Sequence, residues 1–174
     1  MREIISAEAL QRRVKELADE VQRRLPPDGP VLLIGVLNGA IPLMNDLMRR
    51  MDGRDIRFDV MKLASYGDGM DSSGQVNVLL KPAIAVTGRH VLLVDDICDT
   101  GLTLQKAVEV LREMRPAGIV TCTLLDKPSR RQAEIRPDVV GFHVDDIFVV
   151  GYGMGAGDRF RNLPFIAELN DDLT

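Results

Sequence analysis

Short apolar runs alternate along this chain with longer stretches in which apolar residues recur at helical spacing. The apolar runs, each a predicted strand, cover residues 31–36, 58–63, 91–94, 119–125, 139–140 and 147–150. Three stretches predict amphipathic helices: one after the capping residue Ser6, one over about 42–50, and one from about Leu104. Residues 65–75 are rich in Gly, Ser and Asp, show no apolar period, and predict a functional loop.

This alternation predicts the α/β fold class, with a parallel sheet of about five strands covered by helices on both faces. The length of 174 residues suits one domain over 1–174, and no repeat or linker divides the sequence. Ligands of such sheets bind at the carboxyl ends of the strands. Polar loops follow the predicted strands at that edge, after Val36, Val94, Leu125 and Val150.

Composition narrows the setting in which the chain works. A net charge of −4 predicts no general affinity for nucleic acid or for an anionic membrane. No apolar run approaches the ~18 residues of a membrane span, and residues 1–8 lack a signal-peptide core. With two cysteines, Cys98 and Cys122, a disulfide framework is not expected, so a reducing, cytoplasmic location is predicted.

The stretch from Asp99 to Thr103 stands between a predicted strand and the third predicted helix. A helix N-terminus presents unpaired N–H groups and a partial positive charge. Gly101 lets the backbone approach an anion closely, and Thr100 and Thr103 add hydroxyl donors. A phosphate site is one interpretation, and a plain Thr103 helix cap is the other. A Walker loop is excluded because the Gly-Lys-Ser/Thr ending is missing.

Asp95 and Asp96 come just before this stretch, at the end of the apolar run. Two adjacent carboxylates would repel a bare phosphate, and burying them without partners is costly. They fit a ligand that also offers hydroxyl groups or brings a divalent cation. A ribose phosphate with Mg²⁺ satisfies both conditions.

The stretch from Val91 to Thr103 resembles the phosphoribosyl-pyrophosphate (PRPP) signature of the type I phosphoribosyltransferases. Along nearly its whole length the chain is similar to the hypoxanthine-guanine phosphoribosyltransferases. The other similar segments are Leu37-Asn38-Gly39, Ser65-Tyr66 with Ser72-Ser73-Gly74, Leu124–Lys127, Phe148–Tyr152 and Phe160–Leu163. The resemblance implies that family's fold, with a small hood built from both termini, and a homodimer or homotetramer.

The resemblance also implies a reaction and its ligands. It implies Mg²⁺-dependent transfer of the 5-phosphoribosyl group from PRPP to N9 of hypoxanthine or guanine, giving IMP or GMP and pyrophosphate. Asp95 and Asp96 would hold the ribose hydroxyls and the metal. The residues implied at the 5′-phosphate are Asp99, Thr100, Gly101, Leu102 and Thr103. Asp99 would also act as general base near purine N7.

The residues implied at the purine are Ile97, Lys127, Phe148 and Val149. An ammonium group only donates hydrogen bonds, whereas C6 carries an accepting oxygen in hypoxanthine and a donating amino group in adenine. Lys127 therefore favours 6-oxopurines over adenine. Phe148 offers an aromatic face for stacking the base. Without the surrounding match, an exposed lysine and a core phenylalanine would be the ordinary interpretations.

The resemblance places pyrophosphate at Leu37, Asn38, Gly39 and Arg161. It implies a cis peptide between Leu37 and Asn38, with an N–H turned toward the pyrophosphate, and a clamp formed by the planar fork of Arg161. Ser65 and Tyr66 would form a flap that closes over the reacting centre and excludes water.

Gly155 departs from the family pattern, which has an acidic residue there. The departure puts a second metal ion and the preference between hypoxanthine and guanine in doubt, although Asp158 is close enough in sequence to substitute.

Three other functions are compatible with parts of the sequence. A dinucleotide site at 151–156 is rejected because only 18 residues follow. An RNA-binding regulator on the same fold is disfavoured by Asp99 and the acidic pI. A xanthine-preferring transferase stays open, because Lys127 is compatible with xanthine.

Overall fold

The computed structural model describes residues 1–65 and 76–169 of the chain. The strands and helices, in chain order, are β1 (Arg2–Ile5), α1 (Ala7–Arg24), β2 (Val31–Leu37), α2 (Ile41–Arg50), β3 (Ile56–Ser65), β4 (Val76–Leu80), β5 (His90–Cys98), α3 (Leu102–Glu113), β6 (Gly118–Asp126), β7 (Val139–His143), β8 (Val149–Val150) and β9 (Ile166–Glu168). A single 3₁₀ turn, Pro128–Arg130, follows β6. Ser6 caps α1 as predicted, since its hydroxyl accepts a hydrogen bond from the amide of Ala9.

The central sheet has six strands in the order β4-β3-β2-β5-β6-β7. The five strands from β3 to β7 in that order pair in parallel, as predicted, and β4 adds an antiparallel edge. The edge strand β4 was not predicted. The strand predicted at 147–150 is confirmed only for Val149–Val150, which pairs outside the central sheet.

Two hydrophobic cores lie on opposite faces of this sheet. Alternate side chains of β2 pack into different cores. Leu33 packs into the core on the side of α1 and α2, and Ile34 packs into the core on the side of α3. This two-sided burial explains why β2 and the start of β5 read as uninterrupted apolar runs. The sheet therefore holds the carboxyl ends of β2, β5 and β6 rigidly at one edge.

A second sheet of three antiparallel strands, in the order β1-β9-β8, forms the hood. It joins the first strand of the chain to the last one described, which confirms the predicted origin from both termini. Tyr152, just after β8, donates a hydrogen bond to Asp46 of α2 at 2.6 Å and so ties the hood to the main body. Among the described residues, no helix is long and apolar enough to cross a membrane.

Candidate active site

The loop from Asp99 to Gly101 connects β5 to α3 at the carboxyl edge of the sheet. Gly101 precedes the first helical residue and has a φ of 83°, a left-handed conformation that favours glycine. Thr103 is therefore not the helix cap, and α3 begins at Leu102. A cavity of about 300 Å³, the first cavity, lies over this loop and is lined by Thr100, Gly101 and Thr103. The amide of Leu102 donates to Thr100 Oγ1 at 3.4 Å, and the other N–H groups of the helix start form with these hydroxyls a site suited to an anion.

Asp95 and Asp96 lie inside β5, which extends four residues beyond the predicted run to Cys98. Asp95 is 4% exposed. Burial, and then the neighbouring Asp96, raise the pKa of Asp95 well above its ordinary value. Burial also raises the pKa of Asp96, partly offset by hydrogen bonds and by the charge of Arg161. Such a pair is costly to ionise unless a cation or hydroxyl donors face it.

The turn after β2 lies directly against Asp96. The Leu37–Asn38 peptide is cis, which confirms the predicted geometry. A Cβ atom added to Gly39 would lie 1.6 Å from Asp96 Oδ2, so glycine is required for this close approach. Leu37, Asn38 and Gly39 line the first cavity opposite the loop that ends at Gly101.

A second cavity, of about 200 Å³, lies between the end of β6 and the hood. It is lined by Asp96, Ile97, Asp99, Lys127, Phe148, Val149, Met154, Gly155 and Arg161. Phe148 is 56% exposed, so it is not a core aromatic. Lys127 is 5% exposed; its ammonium group donates to the carbonyl of Ile147 at 2.7 Å and lies 3.7 Å from Asp99 Oδ2. The ordinary interpretation of Lys127 as an exposed strand-end lysine was wrong.

The two cavities meet at four residues, Asp96, Ile97, Asp99 and Arg161, which line both. Arg161 donates to two backbone carbonyls of the hood loop, Gly153 at 2.8 Å and Gly157 at 2.9 Å. Asp158 is exposed and is outside the set of residues that line either cavity. A ligand in the first cavity and a ligand in the second would therefore share these four residues.

Of the other predicted site residues, Leu102 contributes its backbone at the start of α3 and lines neither cavity. Ser65 is the last residue of β3. Tyr66, the second predicted flap residue, lies outside the described residues, as does the matched segment 72–74. The flap stays a prediction.

The sequence interpretation missed Arg130, Arg131 and Asp126. Arg130 Nε lies 2.7 Å from Asp99 Oδ1, and Arg130 also pairs with Asp146 at 2.9 Å. Arg131 pairs with the buried Asp126 and donates to the carbonyl of Asp99 at 3.0 Å. The adjacent arginines three and four residues after Lys127 were the available signal, but spacing alone does not show that they reach back to β5.

Comparison with known proteins agrees with this geometry. Residues 2–156 match the model of the phosphoribosyl transferase domain family. The chain is 45% identical over 166 residues to a hypoxanthine-guanine phosphoribosyltransferase of Bacillus subtilis, covering 95% of this chain and 91% of that protein. It is 40% identical over 168 residues to the enzyme of the same name from Aquifex aeolicus, covering 97% and 94%.

The fold agrees as closely. A crystal structure of a hypoxanthine-guanine phosphoribosyltransferase from Bacillus anthracis superposes with a TM-score of 0.91 at 37% identity, covering 98% of this chain and 99% of that one. The similarity spans both the central sheet and the hood. The chain therefore belongs to the phosphoribosyltransferase domain family and, within it, to the hypoxanthine-guanine phosphoribosyltransferases.

Proposed function

We propose that residues 1–174 form one phosphoribosyltransferase domain that transfers the 5-phosphoribosyl group of PRPP to N9 of hypoxanthine or guanine and releases pyrophosphate. The observation that carries the proposal is the meeting of the two cavities at Asp96, Ile97, Asp99 and Arg161. The first cavity has the donors for a sugar phosphate, and the second has an ammonium group and an aromatic face for a base. Holding both reactants at one junction supplies the orientation that a displacement at C1′ requires.

In the first cavity, the backbone amides after Gly101 and the hydroxyls of Thr100 and Thr103 bind the 5′-phosphate. Asp95 and Asp96 accept hydrogen bonds from the ribose hydroxyls, which partners their buried oxygens. The amides near Asn38 and the guanidinium of Arg161 bind the departing pyrophosphate. Ser65 and Tyr66 form the flap that excludes water from the activated ribose.

Mg²⁺ is part of the proposal, and the donor set fits it. Asp95 Oδ1 and Asp96 Oδ1 each accept a backbone N–H bond, at 2.9 and 2.8 Å, and Asp96 Oδ2 faces the turn at Gly39. Within 1–65 and 76–169, no cluster of three or more His, Cys, Asp or Glu side chains forms a metal site. Mg²⁺ is commonly held by one or two carboxylates together with substrate phosphates. When bound, it would neutralise charge on the pyrophosphate.

In the second cavity, Lys127 donates to O6 of the purine and Phe148 stacks on the ring, beside Ile97 and Val149. Asp99 is the general base for the proton at N7. One of its oxygens is held by Arg130, and the other faces Lys127 and the cavity. The carboxylate is therefore oriented before the base arrives.

The test is nucleotide formation from PRPP and Mg²⁺ with hypoxanthine, guanine, xanthine and adenine in parallel. We expect turnover with hypoxanthine or guanine, none with adenine, and a loss of about 10²-fold or more in Asp99→Asn. Asp145→Asn is the control, because Asp145 is an exposed aspartate in the same part of the chain as Phe148. Preferential turnover of xanthine would replace the proposed substrates. No turnover with any base, together with salt-sensitive RNA binding, would overturn the proposed function.

The proposal also covers the oligomeric state of the protein and its location in the cell. The chain acts as a homodimer or homotetramer, which sedimentation of the purified protein tests directly. It acts in the cytoplasm, in keeping with Cys98 and Cys122, which are both buried free thiols.

A further inference from the structure

The segment after β6 packs against the loop that would bind the 5′-phosphate. The amides of Gln132 and Ala133 both donate to the carbonyl of Thr100, at 2.8 and 3.1 Å. The amide of Lys127 donates to the carbonyl of Cys98 at 3.0 Å. The loop from Cys98 to Gly101 is thus hydrogen-bonded along its length to the same segment that carries Lys127.

Arg131 makes the side-chain contacts of this packing. One guanidinium nitrogen donates to the carbonyl of Asp99 at 3.0 Å and contacts Cys98 Sγ, and the other pairs with Asp126. Burial raises the pKa of Cys98 to about 12, so the sulfur that Arg131 contacts is a neutral thiol. The aliphatic part of Arg131 fills the space beneath Gly101, where an added Cβ atom would lie 2.9 Å from its Cδ.

We propose that Arg131 is a positioning residue for PRPP: anchored by Asp126, it holds the backbone of Asp99 to Gly101 in the conformation that binds the 5′-phosphate. The inference rests on the proposed function and deepens it. Arg131 is outside the set of residues that line the two active-site cavities, so it acts through the loop and touches no substrate. A planar guanidinium suits this role because its fork reaches two partners at fixed angles.

Asp126 is what fixes Arg131 in place. Its side chain is 8% exposed, and that of Arg131 is 16% exposed. Removing the arginine alone would leave the buried carboxylate facing only His143, whose Nδ1 lies 3.4 Å from Asp126 Oδ2, and losing the permanent positive charge is destabilising. Removing both charges avoids that cost. The double variant Asp126→Asn/Arg131→Met therefore separates the loss of the loop contact from the loss of folding.

Arg131 is also reachable from outside the active site. It lines a third cavity of about 440 Å³, together with Asp126, Pro128, Arg136, Pro137, Val140 and His143. In an Arg131→Ala variant, free guanidinium ion has a path to the position of the missing group. A small molecule that restores the loop contact would restore PRPP binding without repairing the chain.

The experiment measures PRPP binding by calorimetry, and the KM values for PRPP and hypoxanthine, in the wild type, Arg131→Ala, the double variant and Arg136→Ala. Arg136 lines the same third cavity and serves as the control. We expect PRPP binding to weaken about 10- to 100-fold in the first two variants, with the hypoxanthine KM within about twofold of wild type. Guanidinium ion should recover PRPP binding in Arg131→Ala, and Arg136→Ala should behave as wild type.

Unchanged PRPP binding in the double variant would overturn the inference. The inference would also be overturned if the variants bind PRPP and hypoxanthine equally less tightly, have a lower melting temperature, and do not recover with guanidinium ion. That pattern indicates a structural role alone. If Arg131→Ala does not fold, the double variant carries the test. Failure of the proposed function is distinct, because it appears as a wild type that binds PRPP but forms no nucleotide with any base, or does not bind PRPP at all.

Discussion

The two sides of the active site are built in different ways. The side proposed for the phosphoribosyl group stands on β5, the start of α3 and the turn after β2, where Asp95 is buried and the half-buried Asp96 lies against the backbone of Gly39. The base side joins the end of β6 to the hood, and Phe148 there is 56% exposed. The first side is thus closely packed before any ligand binds, whereas the second presents open surface that a base would cover. We expect substitutions on the first side to act through the backbone and those on the second to act through single contacts.

Gly39→Ala tests the packed side most directly. The new Cβ atom would overlap Asp96 Oδ2, so either the turn or the carboxylate must move. A displacement of this size is expected to lower kcat/KM for PRPP by about 10²-fold or more. Steady-state kinetics measures it. Gly118→Ala is the matched control, because its added Cβ meets only the ring of His90, at 3.2 Å. Wild-type kinetics in Gly39→Ala would show that this side is less rigid than its packing indicates.

Lys127→Met tests the base side at its buried charge. Losing a hydrogen bond from the ammonium group to O6 should lower kcat/KM for hypoxanthine by roughly 10- to 100-fold. The affinity for PRPP should not change, because Lys127 is not among the residues that line the first cavity. Discrimination against adenine should fall in the same variant. Lys106→Met, on the exposed face of α3, is the control. An equal loss of PRPP affinity would mean that the two sides are not separable at this residue.

Phe148→Leu tests the exposed part of the base side. Losing the aromatic face should raise the KM for the purine about fivefold, since stacking is worth about 1–3 kcal/mol and leucine retains part of the contact. The melting temperature should change little, because the ring is largely exposed. Phe58→Leu is a close control, with 57% exposure on β3. If thermal melting falls and the KM does not change, Phe148 is a structural residue.

Gly155→Asp restores the acidic residue that the family pattern has at this position. The first atom of the new side chain would lie 2.7 Å from the carbonyl of Arg159 and 2.8 Å from Cγ of Arg161, so the loop must shift to admit it. An added carboxylate should lower the Mg²⁺ concentration for half-maximal activity by roughly two- to fivefold. Gly155→Asn carries the same steric change without the charge. Matching Mg²⁺ titrations for wild type and Gly155→Asp would show that the missing acid has no bearing on the metal.

The difference between the two sides of the site also explains which features could be predicted from the sequence. The central sheet was predictable because its strands are buried on both faces and so appear as apolar runs such as 31–36 and 91–94. The turn at Gly101 was predictable because glycine favours the left-handed conformation found there, whereas phosphate binding at this turn stays a prediction. The length of β5 was predicted too short, because Asp95 and Asp96 interrupt the apolar pattern although the backbone continues to pair with β6.

The hood and the segment after β6 depend on contacts between distant parts of the chain. Val149–Val150 is too short to be assigned to a sheet by its pattern, and its partner lies near residue 167. The edge strand β4 is apolar except for Asn77, but it is short and its last residues, Leu79 and Leu80, are exposed, so no buried face marks it as a strand of the sheet. The roles of Arg130 and Arg131 follow from where the chain turns after Lys127, which no local pattern specifies. The residues proposed at the purine were likewise predicted from the family resemblance more than from any local pattern.

Asp95→Asn is expected to give the smallest change, and it should affect stability and ligand binding in opposite directions. Burial, and then the charge of Asp96, raise the pKa of Asp95, whereas an unfolded aspartate has a pKa of about 3.9. Because the folded protein holds this proton more tightly, the stabilising contribution is complete below about pH 3.9 and is lost as pH rises through the raised value. Near neutral pH this group therefore lowers the stability of the ligand-free fold relative to a neutral side chain.

Removing that charge should raise the melting temperature of the ligand-free protein at about pH 7.5 by roughly 2–4 °C for each ~1 kcal/mol gained, with the gain shrinking as pH is lowered toward 4. Asp28→Asn, at an exposed position, should show no such change. With PRPP and Mg²⁺ the order should reverse, since a ligand that binds the wild type more tightly stabilises it more. Thermal melting across pH, with and without PRPP, measures both. A variant less stable than wild type at every pH would show that the Asp95 carboxylate stabilises the fold. It would contradict the idea that this carboxylate destabilises the ligand-free protein and that PRPP binding compensates for the loss.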